Sequence, residues 1–263
     1  MKTVKTIISL SIAATSALSF TACDEVDEAD RYKELTKIES KRNVLIEDFT
    51  GQMCTNCPDG HRLISTLQEQ YGENIIAVGI HAGSFGIAEN SMPKVIGLMQ
   101  PEGNEYAKKF GVESYPSGII NRNTSALSFT EWSASVRTEI ERESNLNIKL
   151  SAKVENGMIV ISSELQPLKD IKGKLQVWIT ESNIVTLQVD NGKYLMDYVH
   201  NHVYRASVNG TWGEDVSLKA NIFDDKKHEI AVKDGWNVEN LSVVAFVYND
   251  NDGVYQAAEC KVE

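Results

Sequence analysis

The sequence predicts an α/β unit followed by an all-β sandwich, and three observations carry that expectation. Between Arg42 and Glu143, apolar runs of strand length alternate with helical spacing, as in βαβ units. After Asn145 strand patterns dominate. The separators in that second part, Glu155-Asn156-Gly157, Asp190-Asn191-Gly192, Asn209-Gly210 and Asp250-Asn251-Asp252-Gly253, are the turn chemistry of β-hairpins and tight loops.

Taken from the N-terminus, Lys2 and Lys5 precede the apolar run Ile7 to Phe20, which is short for a membrane span, and the small residues Thr21 and Ala22 then lead to Cys23. This is the pattern of a secretory signal, and no other stretch is apolar for long enough to cross a bilayer. A cysteine directly behind the small residues resembles a bacterial lipobox, with Phe20 where leucine is usual. The resemblance implies a signal over residues 1–22 and diacylation of Cys23; the plain alternative is an ordinary signal peptide with an incidental cysteine. Residues 23–41 then read as a lipidated acidic tether, because Asp24 to Asp30 holds too little apolar surface to offset the entropy of ordering. Acidic residues behind such a cysteine also resemble the surface-export signal of Bacteroidetes-type lipoproteins, with a solvated spacer as the equal alternative. Loss of Lys2 and Lys5 with the signal takes the net charge from −11 to −13, a balance that repels nucleic acid and anionic lipid headgroups and leaves lipid as the means of membrane attachment.

Removing the first 22 of 263 residues leaves 241, enough for one large or two ordinary domains. In residues 42–144, Val44 to Phe49 and Ile75 to Val78 read as strands, and Pro58 to Gln70 has helical spacing with Leu63, Ile64 and Leu67 on one side. In residues 145–263, strands are expected at 146–154, 158–165, 174–181, 216–223, 228–233, 241–248 and 255–262. About seven short strands with such punctuation indicate an immunoglobulin-like sandwich. There is no internal repeat and no low-complexity tract.

The chain has four cysteines, and two of them lie three positions apart in "FTGQMCTNCPDGH", Phe49 to His61. Cys54 falls in the turn that enters the helix and Cys57 in or near its first turn, where Pro58 loses nothing because its missing N–H would have had no partner. The positive end of a helix favours an anion, so Cys54 is expected to form a thiolate at lower pH than a free cysteine and to stand exposed as a nucleophile, with Cys57 resolving. A purely structural disulfide closes so short a loop that it constrains the unfolded chain little. A metal site needs two more ligands; there is no second C-x-x-C, and only His61 and His81 are near, one read as a solvated helix residue and the other as ending its strand. No metal and no cofactor is therefore assigned. Strand alternation places Asp48 on the face of Ile46, pointing inward, with Glu47 inward as the alternative. A buried Asp48 would have a raised pKa and could relay the proton of Cys57.

Three further features remain outside that site. His200 and His202 fall on one strand face with Asp197 nearby, a spacing that suits a metal but more commonly marks solvent-facing or hydrogen-bonded imidazoles. Cys260, among Ala257, Ala258 and Val262, reads as a buried free thiol. Trp178, Trp212 and Trp236 read as core or loop anchors.

The α/β part resembles thioredoxin in more than its cysteines. In that family a buried carboxylate lies six residues before the first cysteine, the place of Asp48 in "LIEDFTGQMC", and a cis-proline loop faces the dithiol, which "KKFGVESYPSGIINR" resembles with Tyr115-Pro116-Ser117 feeding the strand Gly118 to Asn121. The resemblance implies that Tyr115 and Pro116 offer backbone pairing to an extended substrate. The sequence departs from the family in carrying Met53 where an aromatic is usual, and in the excess length Ala82 to Gly103, expected as a cap over the active edge. Over the whole chain, "VLIEDFTGQMCTNCPDGH", "AVGIHAG", "YPSGIINR", "WITESNIV" and "DYVHNHVYRASVNG" resemble the Bacteroidetes-type outer-membrane lipoproteins related to the twenty-eight-kilodalton outer-membrane protein. What this implies is a lipid-anchored outer-membrane protein, on the periplasmic face or the cell surface, with a thioredoxin-like domain. The expected chemistry is thiol–disulfide exchange through Cys54 and Cys57, with exported protein disulfides or an envelope redox partner as the other reactant. The alternative is a surface binding or assembly lipoprotein with a non-catalytic dithiol.

Overall fold

In the computed structural model, which describes residues 41–263, strand β1 (Val44–Thr50) is buried along its whole length, as suits a strand covered on both faces. Helix α1 (Cys57–Tyr71) follows with Pro58 in its first turn and buries Ile64 and Leu67. Strand β2 (Ile75–His81) then runs parallel to β1, with Asp48 opposite Gly79 and Thr50 opposite His81. After helix α2 (Pro101–Lys109) come β3 (Ser117–Ile120), antiparallel to β1, and β4 (Leu127–Ser128). Helix α3 (Phe129–Ile140) closes this half, started by a capping box of Ser128 and Glu131. Its Trp132 and Val136 pack with Ile64 and Leu67 of α1 over Val44, Ile46, Ala77 and Ile120 of the sheet.

The remainder is strand: β5 (Leu146–Glu155), β6 (Met158–Pro167), β7 (Ile171–Glu181), β8 (Ile184–Asp190), β9 (Lys193–His200), β10 (Val203–Ser207), β11 (Glu214–Leu218), β12 (Asp224–Ala231), β13 (Leu241–Asn249) and β14 (Gly253–Lys261). A three-stranded sheet in the order β12-β6-β5 faces β14, β13, β7 and β11, and the core between them draws on both, with Ile148, Ile159 and Ile161 on one side and Leu175, Val177, Val243 and Ala245 on the other. The body is thus a β-sandwich. The left-handed pairs Asn156-Gly157 and Asn191-Gly192 turn the β5–β6 and β8–β9 hairpins, as their sequence indicates.

The large sheet does not stop at the change of texture near residue 145. Its order is β14-β13-β7-β10-β2-β1-β3-β4, with β10 joined to β2 through the single pair Val203 and Gly79 and a 2.8 Å bond from Gly79 N to the His202 carbonyl. One face carries a core shared by both halves, in which Leu45, Phe49 and Ile80 meet Trp178, Tyr204 and Phe246. Two sequence expectations need correction. The strand expected at 216–223 ends at Leu218, and Ile222 and Phe223 are exposed in the loop beyond it. The segments 184–190 and 193–200, not expected as strands, form a separate two-stranded hairpin. The signal, Cys23 and residues 23–40 of the acidic tether lie outside the described residues. No helix among the described residues is long and apolar enough to cross a membrane.

Candidate functional site

Cys57 opens α1 and is disulfide-bonded to Cys54 in the turn before it. The expected exposure of Cys54 is corrected: Cys54 is 3 % exposed and Cys57 is fully buried. Two elements from elsewhere in the chain cover the pair. The tip of the β8–β9 hairpin lies along the dithiol loop, with Val189 N donating to the Gln52 carbonyl at 2.8 Å and Asn191 N to the Thr55 carbonyl at 3.2 Å. Gly192 N adds a 2.7 Å bond to Thr55 Oγ1, and the Gln188 side-chain amide donates to the Cys54 carbonyl at 2.9 Å. On the other side, Met53 N donates to the Phe85 carbonyl at 2.9 Å, so the segment after β2 is a cover, as its excess length suggested. Gln52 joins the two: its side chain donates to the carbonyls of Ile96 and Leu187 and accepts from Leu98 N. The sequence gives no local sign of the part played by Gln52 or Gln188.

Tyr115-Pro116 is a cis peptide. Pro116 faces the first turn of α1, where a methyl group added to Gly60 would lie 3.4 Å from the proline and 3.1 Å from the Trp132 ring, so this position favours glycine. The Tyr115 ring is half-buried against Gly83 and Phe85, with ring centres 5.7 Å apart in the latter pair, and burial raises its pKa.

Consecutive carboxylates on β1 point to opposite faces, and the structure treats them differently. Glu47 is buried and accepts three bonds from Arg122, whose side chain is buried, the shortest 2.8 Å. Asp48 is 1 % exposed, and among the described residues neither of its oxygens has a hydrogen-bond partner. Burial pushes its pKa up to about 8. Its nearest basic neighbour is His61 Nε2 at 3.6 Å. His61 is not the solvated residue its place on the helix suggests: its Nε2 is 3.0 Å from Thr50 Oγ1 and its Nδ1 is 2.8 Å from the Tyr198 hydroxyl. Burial, with help from His200 and Arg62, pulls its pKa down to about 3. The Asp48–His61 contact therefore joins two neutral groups near pH 7 and is not an ion pair.

These groups line a cavity of about 410 Å³ between α1, the ends of β1 and β2, and the β9–β10 turn. Four of the chain's five histidines, His61, His81, His200 and His202, open on it. His200 and His202 do not share a strand face, because β9 ends at His200 and His202 has a left-handed backbone. His200 Nε2 is 3.2 Å from the Leu187 carbonyl, and His202 is 3.3 Å from the Gln68 amide. Burial lowers the pKa of both to about 4. Among the described residues no group of three or more His, Cys, Asp or Glu is placed to hold a metal ion, and Asp197 is exposed. Cys260 is a free, half-buried thiol on β14 against the sandwich core, and burial raises its pKa to about 12. Trp178 is fully buried, with its indole N–H on the Tyr106 hydroxyl at 3.1 Å; Trp212 and Trp236 are half-buried.

Residues 103–263 match the family described as outer membrane protein Omp28. The chain belongs to the Omp28 family. The match begins beyond the dithiol, Asp48 and His61, and takes in Pro116 and the β8–β9 hairpin. Among solved structures, HBP35 of Porphyromonas gingivalis is similar in fold, at 18 % identity and a TM-score of 0.66, over 84 % of this chain and 76 % of that one. A protein of Agrobacterium tumefaciens matches at 15 % identity and a TM-score of 0.50, over 82 % and 92 %. A domain of the outer membrane lipoprotein Omp28 from Porphyromonas gingivalis shares 26 % identity over 46 % of this chain and 89 % of that domain, with a TM-score of 0.33. No curated protein matches this Omp28-family chain.

Proposed function

We propose that this Omp28-family protein is a lipid-anchored outer-membrane lipoprotein that carries out thiol–disulfide exchange on exported proteins, through a thioredoxin-like half over residues 42–144 that is followed by an immunoglobulin-like sandwich over residues 145–263. The observation that carries it is the company kept by the first turn of α1. The disulfide opens that helix, Pro116 of a cis peptide packs on it at Gly60, and the buried, unpaired Asp48 approaches it at His61. The arrangement of β1, β2 and β3 with α1 and α3 packed over the sheet supports the same reading, as does the family match for the outer membrane and the lipobox-like Cys23 for the anchor.

In the oxidised form, a partner thiolate attacks Cys54 Sγ, the bond to Cys57 breaks, and Cys57 leaves with the electron pair. A protonated Asp48 supplies the proton that Cys57 takes up. The partner's second thiol then attacks the mixed disulfide and releases Cys54 as thiolate, so that two electrons pass to the protein and the partner becomes a disulfide. The reverse sequence oxidises the pair.

The second reading, a surface binding or assembly lipoprotein with a non-catalytic dithiol, draws on the 3 % exposure of Cys54 beneath two covering elements. Reduction of insulin by a dithiol, with the full chain as catalyst, separates the two. Wild type is expected to accelerate it and Cys54→Ser to lose the acceleration; equal rates in the two would leave only the binding reading. Lipid labelling lost in Cys23→Ser tests the anchor, and protease shaving of intact cells tests which face is exposed.

A further inference from the structure

A second cavity, of about 1170 Å³, shares no residue with the dithiol loop or with the histidine-lined cavity. It is bounded by Phe110 at the end of α2, by the β3–β4 connection at Arg122 and Thr124, and by β7, β11 and the β13–β14 turn of the sandwich. That is room for a ligand of more than one ring. One wall is Trp212, and its loop is fixed from beneath. The hydroxyls of two core tyrosines donate to consecutive carbonyls, Tyr106 to Thr211 at 2.6 Å and Tyr248 to Trp212 at 2.9 Å. Gly213 follows with a left-handed backbone, and a methyl group added there would run into the Leu175 carbonyl, so the chain passes β7 this closely only with glycine. The indole stands edge-on to Tyr106, ring centres 5.1 Å apart, and stays half-buried. A ring held this firmly and left half-open is an apolar surface that a ligand uses without an ordering cost.

The charge of the lining runs against that of the chain. The chain carries a net −11, yet the cavity is lined by Lys109, Arg122, Lys172 and Lys174 against Asp215 and Asp250. Lys174 pairs with Asp215 at 2.8 Å and Lys109 with Asp250 at 3.5 Å, both exposed and therefore weak. Among the described residues Lys172 has no such partner. Arg122 gives Nε and Nη2 to Glu47, which lies outside the lining. Its Nη1, turned away from that edge, is buried and has no acceptor among the described residues. A buried N–H without a partner is costly, and an acceptor brought in by a ligand relieves it.

We propose that this cavity binds a small organic acid, its ring against Trp212 and its carboxylate toward Lys172 and Arg122. Such a ligand combines the two things the lining offers, a flat apolar face to stack on and an excess of cationic donors for a carboxylate. Aromatic acids and acidic sugars share that chemistry, since a pyranose ring also presents an apolar face. Thr124, Ser217 and Asn251 in the lining add hydroxyl and amide groups that suit the hydroxyls of a sugar. The site goes beyond the exchange reading and does not depend on it.

Calorimetric titration of the full oxidised chain tests this with two probes, naphthoate and a disaccharide ending in glucuronate, each beside its neutral counterpart, naphthol and the same disaccharide ending in glucose. At least one acid is expected to bind, roughly tenfold or more tightly than its neutral counterpart. Which acid binds identifies the source, and binding of both would show that the site reads the carboxylate and the flat face alone. Two rim variants tie the binding to this cavity. Lys172→Gln is expected to weaken it severalfold and Asp250→Asn to strengthen it, and because both side chains are exposed, neither should move the urea midpoint. Absence of binding by both acids, neutral counterparts that bind as tightly, or binding that neither variant shifts overturns the proposal.

Discussion

Asp48 Oδ2 and His61 Nε2 lie 3.6 Å apart, and burial keeps both groups uncharged at neutral pH, raising the acid to about 8 and lowering the base to about 3. An acid whose pKa is higher folded than unfolded binds its proton more tightly when folded. Its contribution to stability is therefore complete below the ordinary value of 3.8 and is lost as pH rises through about 8. The buried histidines act in the opposite sense, with a contribution complete above 6.5 and lost as pH falls toward 4 and below. Measurement between pH 6.5 and 8 thus reads mainly Asp48, since Cys260, raised from 9.0 to about 12, adds its own decline only as pH nears 9. Over that window wild-type stability is expected to decline while Asp48→Asn stays level, and from pH 4 to 9 the difference between the two should change by on the order of 5 kcal/mol in favour of the variant. Urea unfolding at fixed pH values reads this; parallel profiles would mean that Asp48 titrates as an ordinary carboxylate.

On the other face of β1, Glu47 and Arg122 form a buried pair, and the guanidinium carbon of Arg122 lies 4.2 Å from the centre of the Tyr248 ring and 4.7 Å from that of Phe246. Removing one charge strands the other. Arg122→Met is expected to destabilise by roughly 3 to 5 kcal/mol, and Glu47→Gln added to it should recover much of the loss, because the pair's own desolvation cost goes with it. A double-mutant cycle by chemical denaturation checks this, and additive losses would show that the pair is not coupled.

Much of this arrangement is written locally. The alternation of Ile46, Asp48 and Thr50 with Leu45, Glu47 and Phe49 is enough to put the two carboxylates on opposite faces but not to show that both faces are covered, and Glu47 is buried as fully as Asp48; Asn-Gly at 156–157 and 191–192 is enough to turn two hairpins. Pro58 and the apolar spacing of Ile64 and Leu67 set the helix that begins at Cys57. What escaped is non-local. The bond that covers Cys54 comes from Gln188, 134 residues further along, and the donors around it are main-chain groups that have no signature in side-chain pattern. His61 looks solvated on its own helix because Tyr198, its partner, arrives on a strand 137 residues away. The continuity of the large sheet rests on one pair, Gly79 with Val203, between a strand legible in the first half and β10, a segment of the second half for which the sequence pattern predicts no strand.

Cys260 supplies a contrast within the same molecule. Half-buried against the sandwich core and beside Glu259 and Glu263, its thiol is pushed up to about 12. At pH 8 almost none of it is thiolate, so iodoacetamide should leave it unlabelled in the native oxidised protein over hours and label it fully in denaturant. Mass spectrometry of the 253–263 segment reads the difference. Rapid native labelling would show that β14 opens at its C-terminal end far more readily than its pairing with β13 implies.

Gln52 holds the two covers in register. Its side chain is fully buried, donates to the carbonyls of Ile96 at 3.0 Å and Leu187 at 3.2 Å, and accepts from Leu98 N at 3.0 Å. One amide thus satisfies main-chain groups on the segment after β2 and on β8 together. Gln52→Ala leaves those groups without that partner in a site closed to water, at a cost of roughly 2 to 4 kcal/mol. The loss is expected to be uneven. Amide exchange should rise first at 96–98 and 187–189, and the disulfide should become more reducible, while the sandwich strands β5 and β6 keep their protection. Gln52→Glu retains the acceptor to Leu98 but loses both donated bonds, so it should loosen both covers nearly as much as alanine does. Exchange that rises evenly across the chain in both variants would mean that Gln52 supports the fold as a whole and not the two covers over the disulfide.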